Sequence, residues 1–378
     1  MKQLSIYIHI PFCVRKCSYC DFLSFPSKEN EREEYVETLL EEIRLESSGY
    51  AAYEVRTVFF GGGTPSLLTP AQMERIMVCL RESFRFADCM EISVEANPGT
   101  VNRESLSAYL DLGFNRLSLG LQSSSDRLLR KLGRIHTFDM FLEAYEAARA
   151  AGFGNVNVDV MSALPGQSAA QYCETLQKVL SLTPRPTHIS AYSLIVEEGT
   201  PFYERQKEGR LPLPTEDEER EMYALTARIL GREGYERYEI SNYARPGFAC
   251  RHNLVYWTRE NYLGLGLGAA SMVENIRMSN EDDMEAYSAR IKRGLPRQQG
   301  QKLSVQEQME ETMFLGLRLA DGVEKEAFAR TFGRSMESVY GNVLAKHERN
   351  GLLISGDRVR LTGKGIDVSN YVMADFLF

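Results

Sequence analysis

Three cysteines stand within eight residues near the start of the chain, in Cys13-Val14-Arg15-Lys16-Cys17-Ser18-Tyr19-Cys20. Thiolates at this CxxxCxxC spacing can wrap one face of a cubane iron–sulfur cluster, and three of them leave one iron open to a cofactor or substrate. A structural zinc site is the competing reading. It wants a fourth ligand and more often uses CxxC pairs, and the nearest extra donor, His9, lies on a strand. The remaining four cysteines, Cys79, Cys89, Cys173 and Cys250, are scattered, and buried inert thiols are expected there. An odd total of seven argues against a disulfide framework and for a reducing compartment.

The elements that must position the cysteines follow from hydrophobic pattern. Leu4–Ile10, Val55–Phe60, Met90–Glu95, Arg116–Leu121, Val156–Met161 and His188–Leu194 are β-rich runs separated by helical stretches, such as the 3.6-residue apolar stripe across Glu31–Glu46. Such alternation implies parallel βαβ units, in a doubly wound sheet or a partial barrel, with functional groups at the C-terminal strand ends. A Gly- and Pro-rich stretch, 199–214, leads to a capping box at Thr215 and Glu218 and a helix over 217–231. The last segment reads as three helices, 306–320, 325–332 and 336–350, and a hairpin over 352–361, an α+β winged-helix-like unit. Domains are therefore expected at 1–235, at 236–300 as a connecting region, and at 301–378.

The net charge of −8 offers no broad field for phosphates, and the last segment carries 10 basic against 11 acidic residues, so nucleic acid is not an expected partner. No apolar run is long enough for a transmembrane segment and the N-terminus does not read as a signal peptide, so a cytoplasmic protein is expected. Transient membrane association is left open.

CxxxCxxC with an aromatic residue before the last cysteine resembles the signature of the radical S-adenosylmethionine (SAM) superfamily. In that family the open iron binds the amino and carboxyl groups of SAM, and the reduced cluster splits SAM to methionine and a 5′-deoxyadenosyl radical. The fold implied is a partial (βα)6 radical SAM barrel. Gly61-Gly62-Gly63-Thr64-Pro65 looks like the family's GGGTP motif, and glycines there would let backbone N–H groups approach a ligand carboxylate. The resemblance places SAM against Tyr7, Tyr19, Gly62, Gly63, Thr64, Glu95, Gln122, Arg134 and Asp159. A carboxylate at Glu95 suits ribose hydroxyls, and the planar fork of Arg134 suits the SAM carboxylate. Asp159 interrupts an apolar strand, where an unpaired carboxylate would be costly.

Nearly the whole chain is similar to the oxygen-independent coproporphyrinogen III oxidase branch. The oxidase proper has a further cysteine where Phe22 stands here, and a longer segment ahead of the cluster. Both departures point to the heme chaperones related to the oxidase, with radical decarboxylation of propionates as the alternative function. Cys250-Arg251-His252-Asn253-Leu254-Val255-Tyr256-Trp257 resembles the HNxxYW element of those chaperones. It implies heme, with His252 as an axial ligand and Tyr256 and Trp257 against the porphyrin face. The competing reading is a histidine bonded to backbone beside two core aromatics. The cofactors so implied are a [4Fe-4S] cluster, SAM and heme, and the partner is a heme-accepting protein whose identity the residues do not give.

Overall fold

The computed structural model describes residues 1–295, 297 and 300–377. The six β-rich runs form β1 Lys2–Ile10, β2 Tyr53–Gly62, β3 Phe86–Ala96, β4 Arg116–Gln122, β5 Asn155–Ser162 and β6 His188–Ser193. They are parallel and adjacent in that order, so the partial (βα)6 barrel is present. The crossovers hold α1 Glu29–Ser47, α2 Pro70–Ser83, α3 Arg103–Asp111, α4 Asp126–Leu132, α5 Phe138–Ala151 and α6 Ala169–Leu180. Thr69, Asn102, Thr137 and Ser168 start four of these helices by accepting a backbone N–H with their side chains.

Side chains alternate across a strand, and here the alternation separates an apolar outside from a polar inside. Ile92 and Val94, Leu117 and Leu119, and Val158 and Val160 are buried in the main core. Their neighbours Glu95, Ser118, Asp159 and Ser190 instead line a cavity within the barrel. Burial of the outer face holds the strands while the inner face is left to chemistry.

After β6 come α7 Pro201–Lys207 and α8 Glu216–Arg232, the latter opened by the Thr215–Glu218 capping box. The sheet then grows at both edges. β7 Asn242–Ala244 pairs antiparallel with β6, and β8 Tyr262–Leu265 pairs parallel with β1. β9 Ala270–Val273 and β10 Ile276–Ser279 continue outward from β8, completing, with Glu236–Arg237 and Gln301–Lys302, a sheet of 12 strands. Between β7 and β8 lies the short helix α9 Arg251–Trp257, and after β10 comes α10 Met284–Lys292.

The C-terminal unit contains α11 Val305–Gly316, α12 Lys325–Phe332, α13 Met336–Arg349 and the hairpin β11 Leu353–Ser355 with β12 Arg358–Leu361. It has its own core, including Met313, Phe328, Tyr340 and Val359. The helix expected over 306–320 stops at Gly316. Leu319 forms a β-bridge with Glu239, and the Ala320 N–H bonds to the Tyr238 carbonyl at 3.0 Å, so pairing with the barrel overrides the local helical pattern. A buried Arg259–Glu311 ion pair, 3.1 Å, also joins the unit to the barrel side.

Of the four scattered cysteines, Cys79 and Cys250 are buried and Cys173 is half-buried, but Cys89 is exposed, against expectation. Among the described residues no helix is long and apolar enough to cross a membrane.

Candidate functional site

The cysteine loop leaves β1 at the C-terminal end of the barrel and is gripped from two sides. On one side Gly63 N–H bonds to the Ile10 carbonyl at 2.8 Å and Thr64 N–H to the Phe12 carbonyl at 2.7 Å. On the other, Ser18 N–H bonds to the Leu132 carbonyl at 2.9 Å, and Phe202 N–H bonds to the Ser18 carbonyl at 3.0 Å. A Cβ on Gly63 would stand 2.6 Å from the Phe12 carbonyl oxygen. Gly62, at φ +106°, would put one 2.4 Å from the His9 ring. The glycines were expected to present N–H groups to a ligand. Those of Gly63 and Thr64 are spent on the cysteine loop, and the Gly62 N–H donates to the Glu95 carboxylate.

Cys13, Cys17 and Cys20 are free thiols on the wall of one cavity of about 550 Å³, together with Tyr19, Gly62, Gly63, Thr64, Glu95, Gln122, Arg134 and Asp159. A hydrogen-bonded chain crosses it. The Cys13 thiol lies 3.6 Å from Thr64 Oγ1, which accepts from Asn97 Nδ2 at 2.8 Å. Arg134 then donates through Nη1 to Asn97 Oδ1, 2.7 Å, and through Nη2 to the Tyr19 hydroxyl, 3.1 Å. Asn97 is the link the sequence reading missed; it follows Glu95 by two residues, just past the end of β3, and that proximity was the available signal.

Two groups on this wall lack a counterpart. Arg134 Nε is buried with no hydrogen-bond partner. Glu95 makes no ion pair among the described residues, and burial, reinforced by the nearby Asp159 carboxyl, raises its pKa to about 8 against the pull of the Gly62 N–H and the Arg116 and Arg134 guanidiniums. Asp159 is also raised by burial, although it accepts from Asn157 Nδ2 at 2.7 Å and Ser118 Oγ at 3.3 Å. Gln122 sits in the left-handed region at φ 68° and accepts from the Tyr192 hydroxyl at 3.0 Å. Tyr7 is not on the cavity wall: its hydroxyl pairs with His9 Nδ1 at 3.1 Å and its ring stacks on Phe59.

Among the described residues no three His, Cys, Asp or Glu side chains converge as they would on one ion. With the unpaired Arg134 N–H and Glu95 carboxyl, the wall fits a ligand that brings both a carboxylate and hydroxyl or cationic groups.

The HNxxYW element lies on α9 at the base of the barrel, with Asn253 reaching the cavity wall and its histidine and aromatics packed beneath. The Glu91 carboxylate, midway along β3, caps this helix by accepting from Arg251 N–H at 3.0 Å, His252 N–H at 3.1 Å and the Cys250 thiol at 3.5 Å. His252 is 1% exposed. Its Nδ1 meets Thr57 Oγ1 at 2.7 Å, its Nε2 meets the Tyr256 hydroxyl at 2.9 Å, and its ring stacks on Phe59. Burial and the Arg116 charge lower its pKa to about 3, and burial raises the Cys250 thiol to about 12. Trp257 packs under the Arg318 guanidinium, 4.4 Å from the ring centre. Both ring nitrogens of His252, the expected heme ligand, are thus engaged within the protein, and neither it nor Tyr256 nor Trp257 lines the cavity.

Residues 7–179 match the radical SAM superfamily, and residues 303–368 match the HemN C-terminal domain. The chain is 37% identical to a protein of Lactococcus lactis named heme chaperone HemW, covering 100% of this chain and 98% of that one. It is also 37% identical to the heme chaperone HemW of Bacillus subtilis, covering 99% of both. In structure it is similar to the coproporphyrinogen III oxidase HemN of Escherichia coli, a radical SAM enzyme, with a TM-score of 0.86 over 99% of this chain and 90% of that one, at 23% identity.

Proposed function

The chain belongs to the HemW family of radical SAM proteins, and from that membership we propose that it is a heme carrier. In this reading it holds a [4Fe-4S] cluster on Cys13, Cys17 and Cys20, binds SAM in the cavity behind them, and passes heme to an acceptor protein. The observation that carries the site is the convergence on one cavity of three free thiols, an Arg134 N–H without a partner among the described residues, and the Glu95 carboxyl, which makes no ion pair among them.

When bound, the cluster supplies one-electron reduction of the SAM sulfonium. Arg134 holds the SAM carboxylate with its unused donor, its orientation fixed by Asn97 and Tyr19. Glu95 accepts from the ribose hydroxyls, and its proton leaves as the carboxylate gains donors. Thr64 anchors the Cys13 side of the loop to β3 through Asn97. Gln122 and Asp159 line the same wall and complete the set of polar contacts.

The test is transfer. Cluster-loaded protein charged with heme should load an apo-hemoprotein faster than free heme does, and should leave coproporphyrinogen III unconverted in the presence of SAM and reductant. Sustained conversion to protoporphyrinogen would replace the carrier by the oxidase.

A further inference from the structure

We propose that heme docks across the mouth of the cysteine cavity, its apolar face against Val14, Phe22, Ile135 and Ile195 and its propionates toward Arg15 and Lys16. The inference rests on the heme-carrier reading and adds where the cargo sits.

Large apolar side chains left in water mark an interaction surface when they gather within a polar rim. Val14 is 55% exposed, Phe22 63%, Ile135 52% and Ile195 68%, and all four line the one cavity that holds the cysteines. They come from three separate segments: the cysteine loop, the turn after α4 and the segment after β6. The loop that supplies Val14 and Phe22 is pinned through Ser18 and by Gly63 and Thr64, and Lys16 Nζ donates to the Phe22 carbonyl at 3.0 Å. The apolar rim is thus held in place by the fold.

Charge selects the occupant. Arg15 and Lys16 are exposed on the rim and make no ion pair among the described residues. A flat apolar disc with carboxylates along one edge matches four apolar side chains beside two cations that make no ion pair among the described residues. Asp21 and Glu197 also reach this cavity and disfavour the opposite orientation of the propionates. At the other end of the barrel the HNxxYW aromatics are already packed, and His252 has both nitrogens engaged.

The experiment titrates cluster-loaded protein with heme and with heme dimethyl ester. Phe22→Glu combined with Ile195→Glu should weaken heme binding about tenfold or more, whereas Ile354→Glu, an exposed apolar site on the C-terminal hairpin, should leave it unchanged. Arg15→Glu with Lys16→Glu should weaken heme severalfold and the dimethyl ester hardly at all. In the unaltered protein, bound heme should slow the entry of SAM, measured by stopped flow. Wild-type heme affinity in both rim variants, or SAM entry at the same rate with heme bound, would overturn the placement and leave the carrier reading standing. Failure of the unaltered protein to bind heme would overturn both.

Discussion

The two ends of the barrel carry similar residues in opposite states. At the N-terminal floor, Glu91, Cys250, His252, Thr57 and Tyr256 bond to one another, and Trp257 is covered by Arg318. At the C-terminal mouth, three thiols are free, and among the described residues Arg134 Nε has no hydrogen-bond partner and Glu95 makes no ion pair. A histidine, a thiol and a carboxylate in one cluster do not make a binding site once they satisfy each other. Trp257 Nε1 and Arg116 Nε at the floor are also unpartnered among the described residues, but what marks the mouth is bonding capacity left over on a cavity wall, where a ligand can reach and satisfy it.

The largest effect expected is at the mouth. Replacing any of Cys13, Cys17 or Cys20 by Ala should abolish the roughly four irons per chain of anaerobically reconstituted protein, while Cys79→Ala, Cys89→Ala and Cys173→Ala retain them. Iron analysis decides it, and iron retained in all three loop variants would place the cluster elsewhere.

Next come the groups left unpaired. Arg134→Ala and Glu95→Ala should each weaken SAM binding by about 10- to 100-fold, the scale of a lost charge-assisted contact, with iron content near normal. Calorimetric titration of the two variants would show unchanged affinity if the cavity were mapped wrongly.

Floor variants should instead lose stability. Glu91→Ala uncaps α9 and removes one of the anions around the buried Arg116, and should cost about 3 kcal/mol or more in denaturant unfolding. His252→Ala should cost about 2 to 4 kcal/mol through lost packing and two broken hydrogen bonds. Heme affinity of the folded fraction should be unchanged in both. A His252 variant with native stability and weakened heme binding would restore the histidine as a ligand and erase the difference between the two ends.

The smallest effect is a proton. Glu95 binds its proton with a pKa of about 8 in the empty site, and a ligand that needs the carboxylate must displace it. SAM affinity should therefore rise with pH, by at most about tenfold per unit, and level off above that pKa. The dependence should be absent in Glu95→Gln. Calorimetry in two buffers of different ionisation heat would report the released proton. The sign for stability is the reverse: with its folded pKa raised, this group's contribution is fully present below its unfolded pKa and is lost as pH rises through about 8.

The six strands were legible because each has a continuous or alternating apolar run, and β2 and β3 were merely longer than read, starting at Tyr53 and Phe86. β8 was not legible. Its Tyr262-Leu263-Gly264-Leu265 looks like part of a glycine-rich loop, yet a Cβ on Gly264 would meet the Ala270 carbonyl at 2.2 Å, so glycine is there to let two strands turn closely. Cysteine spacing pointed to the loop, strand ends pointed to Glu95 and Gln122, and a break in an apolar run pointed to Asp159, and all of these line the cavity. The bonding of the floor was not legible, because Glu91 lies midway along β3 and Arg116 opens β4, and nothing local there distinguishes a helix cap from a ligand. Period-two reading of Glu91, Ser93 and Glu95 would have put all three inside the barrel.

Parallel pairing of β1 with β8 sets a timetable for synthesis. Ser5 faces Tyr262 and Ile8 faces Leu265, and α1 is tied to the same segment through Glu42, which accepts from the Gly266 N–H at 2.7 Å. One flank of the first strand made thus waits for a partner about 250 residues away, or roughly 10 to 50 s of elongation at ordinary ribosomal rates. Until then it is an unpaired edge of nascent chain, open to mispairing. Ribosome-bound chains stalled before Tyr262 should bind holdase chaperones and be cleaved readily near β1, and those stalled well past α10 should not.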